Sequence, residues 1–309
     1  MTTRVSSGRG GAAPKVAPYA FVAPAVVLFL LVFALPIAYT VYLSLFRTEV
    51  KGLGLGKGSR SEVFVGLDNY VRALTDSELG AGALRVLGYG AILVPTMLGL
   101  ALVFALLLDE DRVRARGFSR IAIFLPYAVP GVIASLLWGF LYLPGTSPLN
   151  QALRELSLQD VNLLSPTGIY FALANIAVWG GVGYNMVVLY TALRSIPRDL
   201  YEAARIDGCT PWQVAVRIKV PLLAPALVLT SLFSIIATLQ VFAEPTTLAP
   251  LTNSLSLTWT PLMKVYQDAF GRGDLYSAAA TSVLIALAMF VISFGLLRVT
   301  RSRAFGGER

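Results

Sequence analysis

The sequence predicts an all-α integral membrane protein, a bundle of six transmembrane helices. Of its 309 residues, 56% are hydrophobic and only 14% are charged, and the mean hydropathy is +0.70. A soluble domain carries about 25% charged residues. Six runs without Asp, Glu, Lys or Arg each exceed the ~18 residues that indicate a membrane-spanning helix. These runs are 16–46, 86–108, 121–153, 161–193, 220–243 and 275–297.

Two uncharged runs need separate interpretation. The run 16–46 follows Arg4, Arg9 and Lys15, as the apolar part of a signal peptide would. It is predicted to be an uncleaved first span, because it far exceeds the ~7–15 apolar residues of a signal sequence. The run 245–263 combines prolines with polar residues that lipid would leave without hydrogen bonds. It is predicted to form an external loop or a re-entrant segment.

The distribution of Lys and Arg orients the spans. With the N-terminus inside, most of the 25 basic residues fall in cytoplasmic segments, as the positive-inside rule requires. Both termini and the loop 194–220 are then cytoplasmic, in a multi-pass protein of a bacterial cell membrane. The predicted organisation is a disordered basic tail at 1–16, a six-helix transmembrane domain at 17–300 and a second tail at 301–309. An anionic inner leaflet accounts for the net charge of +8, without nucleic acid as a partner.

Residues 197–219 form a charged segment that predicts two short helices joined by a turn. Pro197 is suited to opening the first helix, and Gly208 supplies the permissive backbone that ends it. Thr210 is placed as the N-cap of the second helix, and Gln213 completes a Thr-x-x-Gln capping box. Cap chemistry alone fits an ordinary solvated loop between two spans equally well.

The same segment carries a specific spacing of residues. Glu202-Ala203-Ala204 is followed by three residues and Gly208, and then by nine residues and Ile-Lys-Val-Pro at 218–221. This pattern resembles the EAA loop of ABC importer membrane subunits, with valine in place of one leucine. The resemblance implies a cytoplasmic coupling helix that inserts into a groove on a separate ATPase subunit. Small alanines permit close approach, and charged side chains suit the rim of an interface. The predicted coupling residues are Glu202, Ala203, Ala204, Arg205, Asp207 and Gly208.

Further stretches resemble the sugar permeases of the maltose and glycerol-phosphate type, and the resemblance covers about residues 21–298. They are Phe-Val-Gly-Leu-Asp-Asn-Tyr at 64–70, Leu-Pro-Tyr-Ala-Val-Pro at 125–130, and Trp179-x-Gly181-x-x-Tyr184. The resemblance implies a type I importer permease that forms half of the translocation pathway for a neutral sugar or oligosaccharide.

The resemblance also implies the partners. They are a second homologous permease, ATPase subunits that dock on the 197–219 loop, and an extracytoplasmic sugar-binding protein. ATP and Mg would be bound by the partner ATPase, so no cofactor and no enzymatic activity are expected in this chain. Absence of His and the single Cys209 exclude zinc sites, Cys-His nucleophiles and an intrachain disulfide.

Candidate substrate contacts follow from the polar residues of the spans. No Lys, Arg, Asp or Glu lies within a predicted span, which favours a neutral polar solute over an ion. Aromatic faces, hydroxyls and amides could orient such a solute, and a glycine could let a ring approach the backbone. The candidates are Tyr127, Gly181, Tyr184, Asn185, Ser234, Thr238 and Gln240. Small polar residues also join helices to one another in membranes, so each has this structural alternative.

Family resemblance favours five of these candidates, Tyr127, Gly181, Tyr184, Ser234 and Thr238, as substrate contacts. The chain departs from the maltose-type subunit in having apolar Ala237 and Val241, and in the Leu-Thr-Asn-Ser-Leu run at 251–255. The sugar therefore stays open, as does the question of which permease of the pair holds the pocket.

Three other functions remain as alternatives. An ABC permease for an amino acid or phosphate differs from a sugar permease only in the stretches described above. An ion-coupled secondary carrier would normally need an intramembrane carboxylate or His, and a membrane enzyme would need a convergent acid, base or nucleophile. Neither arrangement is visible in the predicted spans.

Overall fold

The computed structural model describes residues 17–50, 60–110 and 113–304. The tail predicted at 1–16 lies outside these residues, and so do residues 305–309 of the predicted C-terminal tail. Residues 301–304 continue the last helix.

Helices dominate the described chain. They are α1 (Ala17–Phe29), α2 (Leu35–Ser44), α3 (Asp68–Thr75), α4 (Ser77–Asp109), α5 (Arg116–Phe124), α6 (Gly131–Tyr142), α7 (Pro148–Glu155), α8 (Gly168–Arg194), α9 (Asp199–Ile206), α10 (Pro211–Val214), α11 (Val220–Leu222), α12 (Ala224–Leu239), α13 (Ala243–Leu248), α14 (Pro261–Tyr266) and α15 (Leu275–Ala304). Two strands, β1 (Phe46–Val50) and β2 (Arg60–Phe64), pair antiparallel with Phe46 opposite Phe64.

Within the described residues, the helices account for the six predicted spans. Four segments are long and apolar enough to cross a membrane, and they are Tyr19–Ser44, Ser77–Asp109, Gly168–Arg194 and Leu275–Arg298. Two more are broken. Residues Arg116–Ala128 meet α6 at 95°, and Pro211–Leu222 meet α12 at 66°. If each bent pair is one span, the total is six, which confirms the predicted all-α bundle.

The uncharged run 121–153 is not one continuous helix. A 3-10 turn at Leu125–Ala128 separates α5 from α6, and Val129 is extended between Pro126 and Pro130. Proline removes a backbone donor and disfavours helical geometry in the residue before it, which accounts for the break. The span is therefore bent, and the run also supplies most of α7.

The run 245–263 folds back against the bundle, and its place inside or outside the bilayer stays a prediction. It supplies most of α13, which packs against α6 and α8. Leu248, Trp259 and Thr260 are almost completely buried. Thr252 and Ser254 donate hydrogen bonds of 2.7 and 2.8 Å from their hydroxyls to the carbonyl of Leu164. These bonds satisfy polar groups that lipid would leave unpaired.

Two long helices, α4 and α8, pack along each other and form the centre of the bundle. Their buried residues include small ones, such as Ala101, Ala105 and Ala172, that let helix backbones approach closely. Larger side chains fill the remaining space, and Tyr89 and Met186 are almost inaccessible. The first span packs mainly through α2 against α15 and leaves α1 exposed on the outside.

The N-terminal end of α4 is held by a buried ionic cluster. Lys264 Nζ lies 2.8 Å from Asp268 Oδ2 and 2.9 Å from Asp76 Oδ2, and Arg272 pairs with Asp268 from the other side. Asp76 is also the N-cap of α4. Burial lowers the pKa of Lys264, but its hydrogen bonds with Asp268 and Asp76 outweigh this effect and raise it.

Acidification weakens this cluster. Burial raises the pKa of Asp76, but the hydrogen bond from Lys264 and those from the first turn of α4 outweigh burial and leave the pKa below its usual value. A carboxylate with a lowered folded-state pKa contributes stability above its unfolded-state pKa and loses it as the pH falls through the folded-state value. The contribution of Asp76 is therefore complete at neutral pH.

We expect Lys264→Met to destabilise the protein by about 3–5 kcal/mol, because the substitution leaves the buried Asp268 with Arg272 as its one cationic partner among the described residues. Thermal unfolding in detergent measures the effect. Lys264→Met combined with Asp268→Leu should recover part of the loss. A single variant as stable as the wild type would show that the cluster does not hold α4.

Candidate functional site

A cavity of about 610 Å³ lies between α4, α6, α8, α12 and the segment that leads into α13. All seven predicted substrate residues line it, namely Tyr127, Gly181, Tyr184, Asn185, Ser234, Thr238 and Gln240. The rings of Tyr127 and Tyr184 stack with centroids 5.1 Å apart. The structure thus gathers residues from three separate spans into one wall, and their role in binding stays a prediction.

Burial divides the polar residues of this wall into two groups. Asn185 donates to Met97 Sδ at 3.2 Å and to the carbonyl of Gly181 at 3.1 Å. Thr238 donates to the carbonyl of Ser234 at 2.7 Å, and Ser234 points its hydroxyl at Met97. Asn185, Ser234 and Thr238 are at most 7% exposed. Asn185 and Ser234 therefore join α8 and α12 to α4 through Met97, as the structural alternative requires, whereas the Thr238 hydroxyl is satisfied within α12.

The accessible polar groups of the cavity belong to other residues. Tyr127 and Tyr184 are 51% and 38% exposed, and Gln240 is exposed as well. An open pair of aromatic faces next to an amide suits a ligand that combines apolar ring faces with hydroxyl groups. The cavity can therefore orient a polyhydroxylated solute without a covalent step.

Glu244 is the important cavity residue that the sequence analysis missed. It lies in the first turn of α13, half-buried, and is the only Asp, Glu, Lys or Arg among the residues that line the cavity. No ion pair joins it to another side chain within the described ranges. The predicted span 220–243 itself contains no charged residue, but the cavity wall extends one residue beyond it and so includes a carboxylate. The sequence feature that could have identified Glu244 is its position as a single charged residue between the uncharged runs 220–243 and 245–263.

Close packing of α5 on α8 depends on Gly183. A Cβ atom there would overlap the carbonyl oxygen of Ile123 and lie 2.7 Å from the Cα of Phe124. At Gly181, a Cβ atom would instead meet the methyl group of Met97 at 2.9 Å. The space next to Gly181 is therefore filled by a flexible side chain, and the approach of a solute ring to the backbone of Gly181 stays a prediction.

The loop between α8 and α12 forms the predicted helix-turn-helix. Gly208 has φ +82°, and Cys209 N–H donates to the carbonyl of Ala204 at 2.9 Å in a Schellman turn that ends α9. Thr210 and Gln213 form the capping box of α10. Local sequence chemistry thus accounts for the whole turn.

The tip of this loop exposes apolar side chains. Ile206 is 86% exposed and Trp212 is 75% exposed, while Ala204 faces inward. Of the other predicted coupling residues, Glu202, Ala203, Arg205, Asp207 and Gly208 all lie on the accessible side. A large aromatic and an aliphatic side chain surrounded by charges are typical of a surface that a partner protein covers.

The base of the loop is anchored by Lys219, which the sequence analysis did not single out. Its Nζ lies 2.7 Å from Asp109 Oδ2 and 3.4 Å from Glu110 Oε1, at the C-terminal end of α4. The ammonium group also lies 5.1 Å from the ring centre of Tyr201 on α9. Burial and, to a smaller extent, the nearby carboxylate of Asp109 raise the pKa of Tyr201.

No group of three or more His, Cys, Asp or Glu residues within the described ranges is arranged to hold a metal ion.

We expect Gly183→Ala to destabilise the protein by about 1–3 kcal/mol, because the new methyl group overlaps the backbone of α5. Gly181→Ala is the matched control on the same helix. It should be neutral or stabilising, since the Met97 methyl can move and alanine favours the helix by up to about 1 kcal/mol. Thermal unfolding of both variants in detergent checks this order, and the reverse order would contradict the packing described for α5.

Comparisons with known proteins agree with this architecture. The permease UgpA of the sn-glycerol-3-phosphate transport system from Escherichia coli (strain UTI89 / UPEC) is 31% identical over 290 residues, which cover 93% of this chain and 94% of that protein. Its counterpart from Shigella flexneri is 30% identical over the same length. A chain of a bacterial ABC transporter that imports the acidic polysaccharide alginate shares the fold, with a TM-score of 0.77, 21% identity, and coverage of 92% of this chain and 95% of that one.

The family described as binding-protein-dependent transport system inner membrane component matches residues 98–304. This match includes α5 to α15, and with them every predicted cavity and coupling residue. Together with relatives that are 30% identical or more over nearly the whole chain, it shows that this protein belongs to the family of inner membrane components of binding-protein-dependent transport systems.

Proposed function

We propose that this chain forms half of the translocation pathway of an ATP-driven importer for a neutral sugar or oligosaccharide. A second, homologous permease completes the pathway, an extracytoplasmic binding protein delivers the solute, and separate ATPase subunits supply the energy. The observation that carries the proposal is the cavity, in which the stacked Tyr127 and Tyr184 and the amide of Gln240 are accessible. Curated relatives named for the transport of a glycerol phosphate support a small polyhydroxylated cargo.

The transport cycle would proceed by alternating access. ATP would draw the two ATPase subunits together, and their motion would reach the bundle through the exposed tip around Ile206 and Trp212. This arrangement requires the 197–219 loop and both termini to be cytoplasmic, as the distribution of basic residues predicts. The chain itself would bind no ATP and no Mg.

The single charge in the cavity favours an uncharged cargo. The carboxylate of Glu244 can accept hydrogen bonds from hydroxyl groups, whereas it repels phosphate and uronate groups. In this respect the cavity of this chain does not match the anionic cargoes for which the relatives are named, sn-glycerol-3-phosphate and alginate. The fold and the mode of transport therefore follow the family, whereas the charge of the cavity favours a neutral cargo.

Uptake by proteoliposomes tests the proposal. The chain is reconstituted with its second permease, its ATPase and its binding protein, and the probes are radiolabelled maltose, sn-glycerol-3-phosphate, glutamine and phosphate. Tyr184→Ala should lower sugar uptake about tenfold, which corresponds to a lost contact of about 1.4 kcal/mol. Phe171→Ala, on the same helix but outside the cavity, is the matched control and should leave uptake unchanged.

Two results would contradict the assignment. ATP-dependent uptake of glycerol phosphate, glutamine or phosphate in place of the sugar would show that the cargo is not neutral sugar. Equal uptake by wild type and Tyr184→Ala would move the pocket to the partner permease.

A further inference from the structure

Lys219 joins the base of the loop to a helix that does not adjoin the loop in sequence. Its side chain is 6% exposed and its partner Asp109 is 8% exposed, with 2.7 Å between Nζ and Oδ2. The loop continues directly into α8 and α12, whereas Asp109 ends α4. The ion pair is thus a non-covalent connection between the loop and α4.

Electrostatics makes this pair difficult to break. Asp109 and Glu110 lie at the C-terminal end of α4, where the partial negative charge of the helix dipole repels carboxylates. A buried carboxylate without a cation is strongly disfavoured. Lys219 therefore compensates both the burial of Asp109 and the helix end, and separation of the pair would leave both uncompensated.

Both arms of the loop converge on this lysine. Tyr201 on α9 places its ring 5.1 Å from the ammonium group, and no hydrogen-bond partner for its buried hydroxyl exists among the described residues. Lys219 ends a π-helical turn, Ala215–Lys219, that follows α10. A displacement of the tip therefore reaches Lys219 from either side.

The other end of the connection is the cavity wall. Tyr89, Leu93 and Met97 lie on α4 and line the cavity, and Met97 contacts Asn185 and Gly181 on α8. On the α12 side of the loop, by contrast, the chain bends by 66° before it reaches the cavity. The connection through Lys219 and Asp109 avoids this bend.

We propose that the Lys219–Asp109 ion pair is the strut that transmits motion of the coupling loop to α4 and thereby to the cavity. The proposal rests on the proposed function, since it assumes that an ATPase moves the loop tip. Lys219 is a positioning residue, because it lies away from both the cavity lining and the exposed tip.

Cavity accessibility in the assembled importer tests the strut without knowledge of the cargo. Cys209→Ser removes the only native thiol of this chain, and Ala237→Cys places one on an exposed position of the cavity wall. The rate of labelling by a water-soluble maleimide is measured on this chain, without nucleotide and after trapping with MgATP and vanadate. In the complex with Lys219 and Asp109 unchanged, the labelling rates should differ about tenfold between the two states.

Lys219→Met should reduce this difference to less than about twofold, although the complex still traps nucleotide. The exchange variant, Asp109→Lys with Lys219→Asp, should restore at least half of the difference. Lys264→Met is the matched control. It removes a similarly buried lysine, which lies on α14 and pairs with Asp76 at the opposite end of α4. It should keep the tenfold difference in the complexes that assemble.

The outcomes separate the strut from a merely structural role. Lys219→Met with an unchanged difference, or Lys264→Met with the same loss, would overturn the strut. If the Lys219→Met complex does not assemble, the exchange variant provides the test. An exchange variant that assembles but shows no ATP-linked difference in labelling rate would also overturn the strut. An unmodified complex without any ATP-linked change would contradict the proposed function itself, and the strut with it.

Discussion

The backbone contact between α5 and Gly183 determines where the cavity lies. A helix backbone can come this close only where a side chain is absent, so α5 and the turn at Leu125–Ala128 rest directly on α8. This contact brings Tyr127 face to face with Tyr184. The 95° bend that follows directs α6 away from the axis of α5 and leaves room for the cavity.

The two ends of α4 depend on charged residues to different extents. Both ends of α4 carry acidic residues, and each end is completed by a buried lysine from a distant part of the chain. At the N-terminal end the helix dipole favours Asp76, so Lys264 adds to an arrangement that is already favourable. At the C-terminal end the dipole opposes Asp109, so that end depends on Lys219. The less favourable end is the one that meets the loop.

Local chemistry explains which features the sequence predicted. Hydropathy predicted the six spans, and cap chemistry predicted the turn at Gly208, because both depend on neighbouring residues. The seven cavity residues were identifiable as polar groups in apolar runs. Their division into buried and accessible groups was not, since it depends on contacts such as Met97 with Asn185, 88 positions apart. Gly183 and Lys219 were missed for the same reason, because their partners lie on other helices.

Site-specific cross-linking tests most directly whether an ATPase covers the loop tip, as proposed. A photoreactive benzoyl-phenylalanine in place of Trp212 should cross-link this chain to the ATPase subunit in native membranes, because that side chain is 75% exposed at the tip. The same amino acid in place of Phe29, which is 58% exposed on α1, is the control and should give no such product. Absence of the ATPase adduct at position 212, or equal adducts at both positions, would contradict the account.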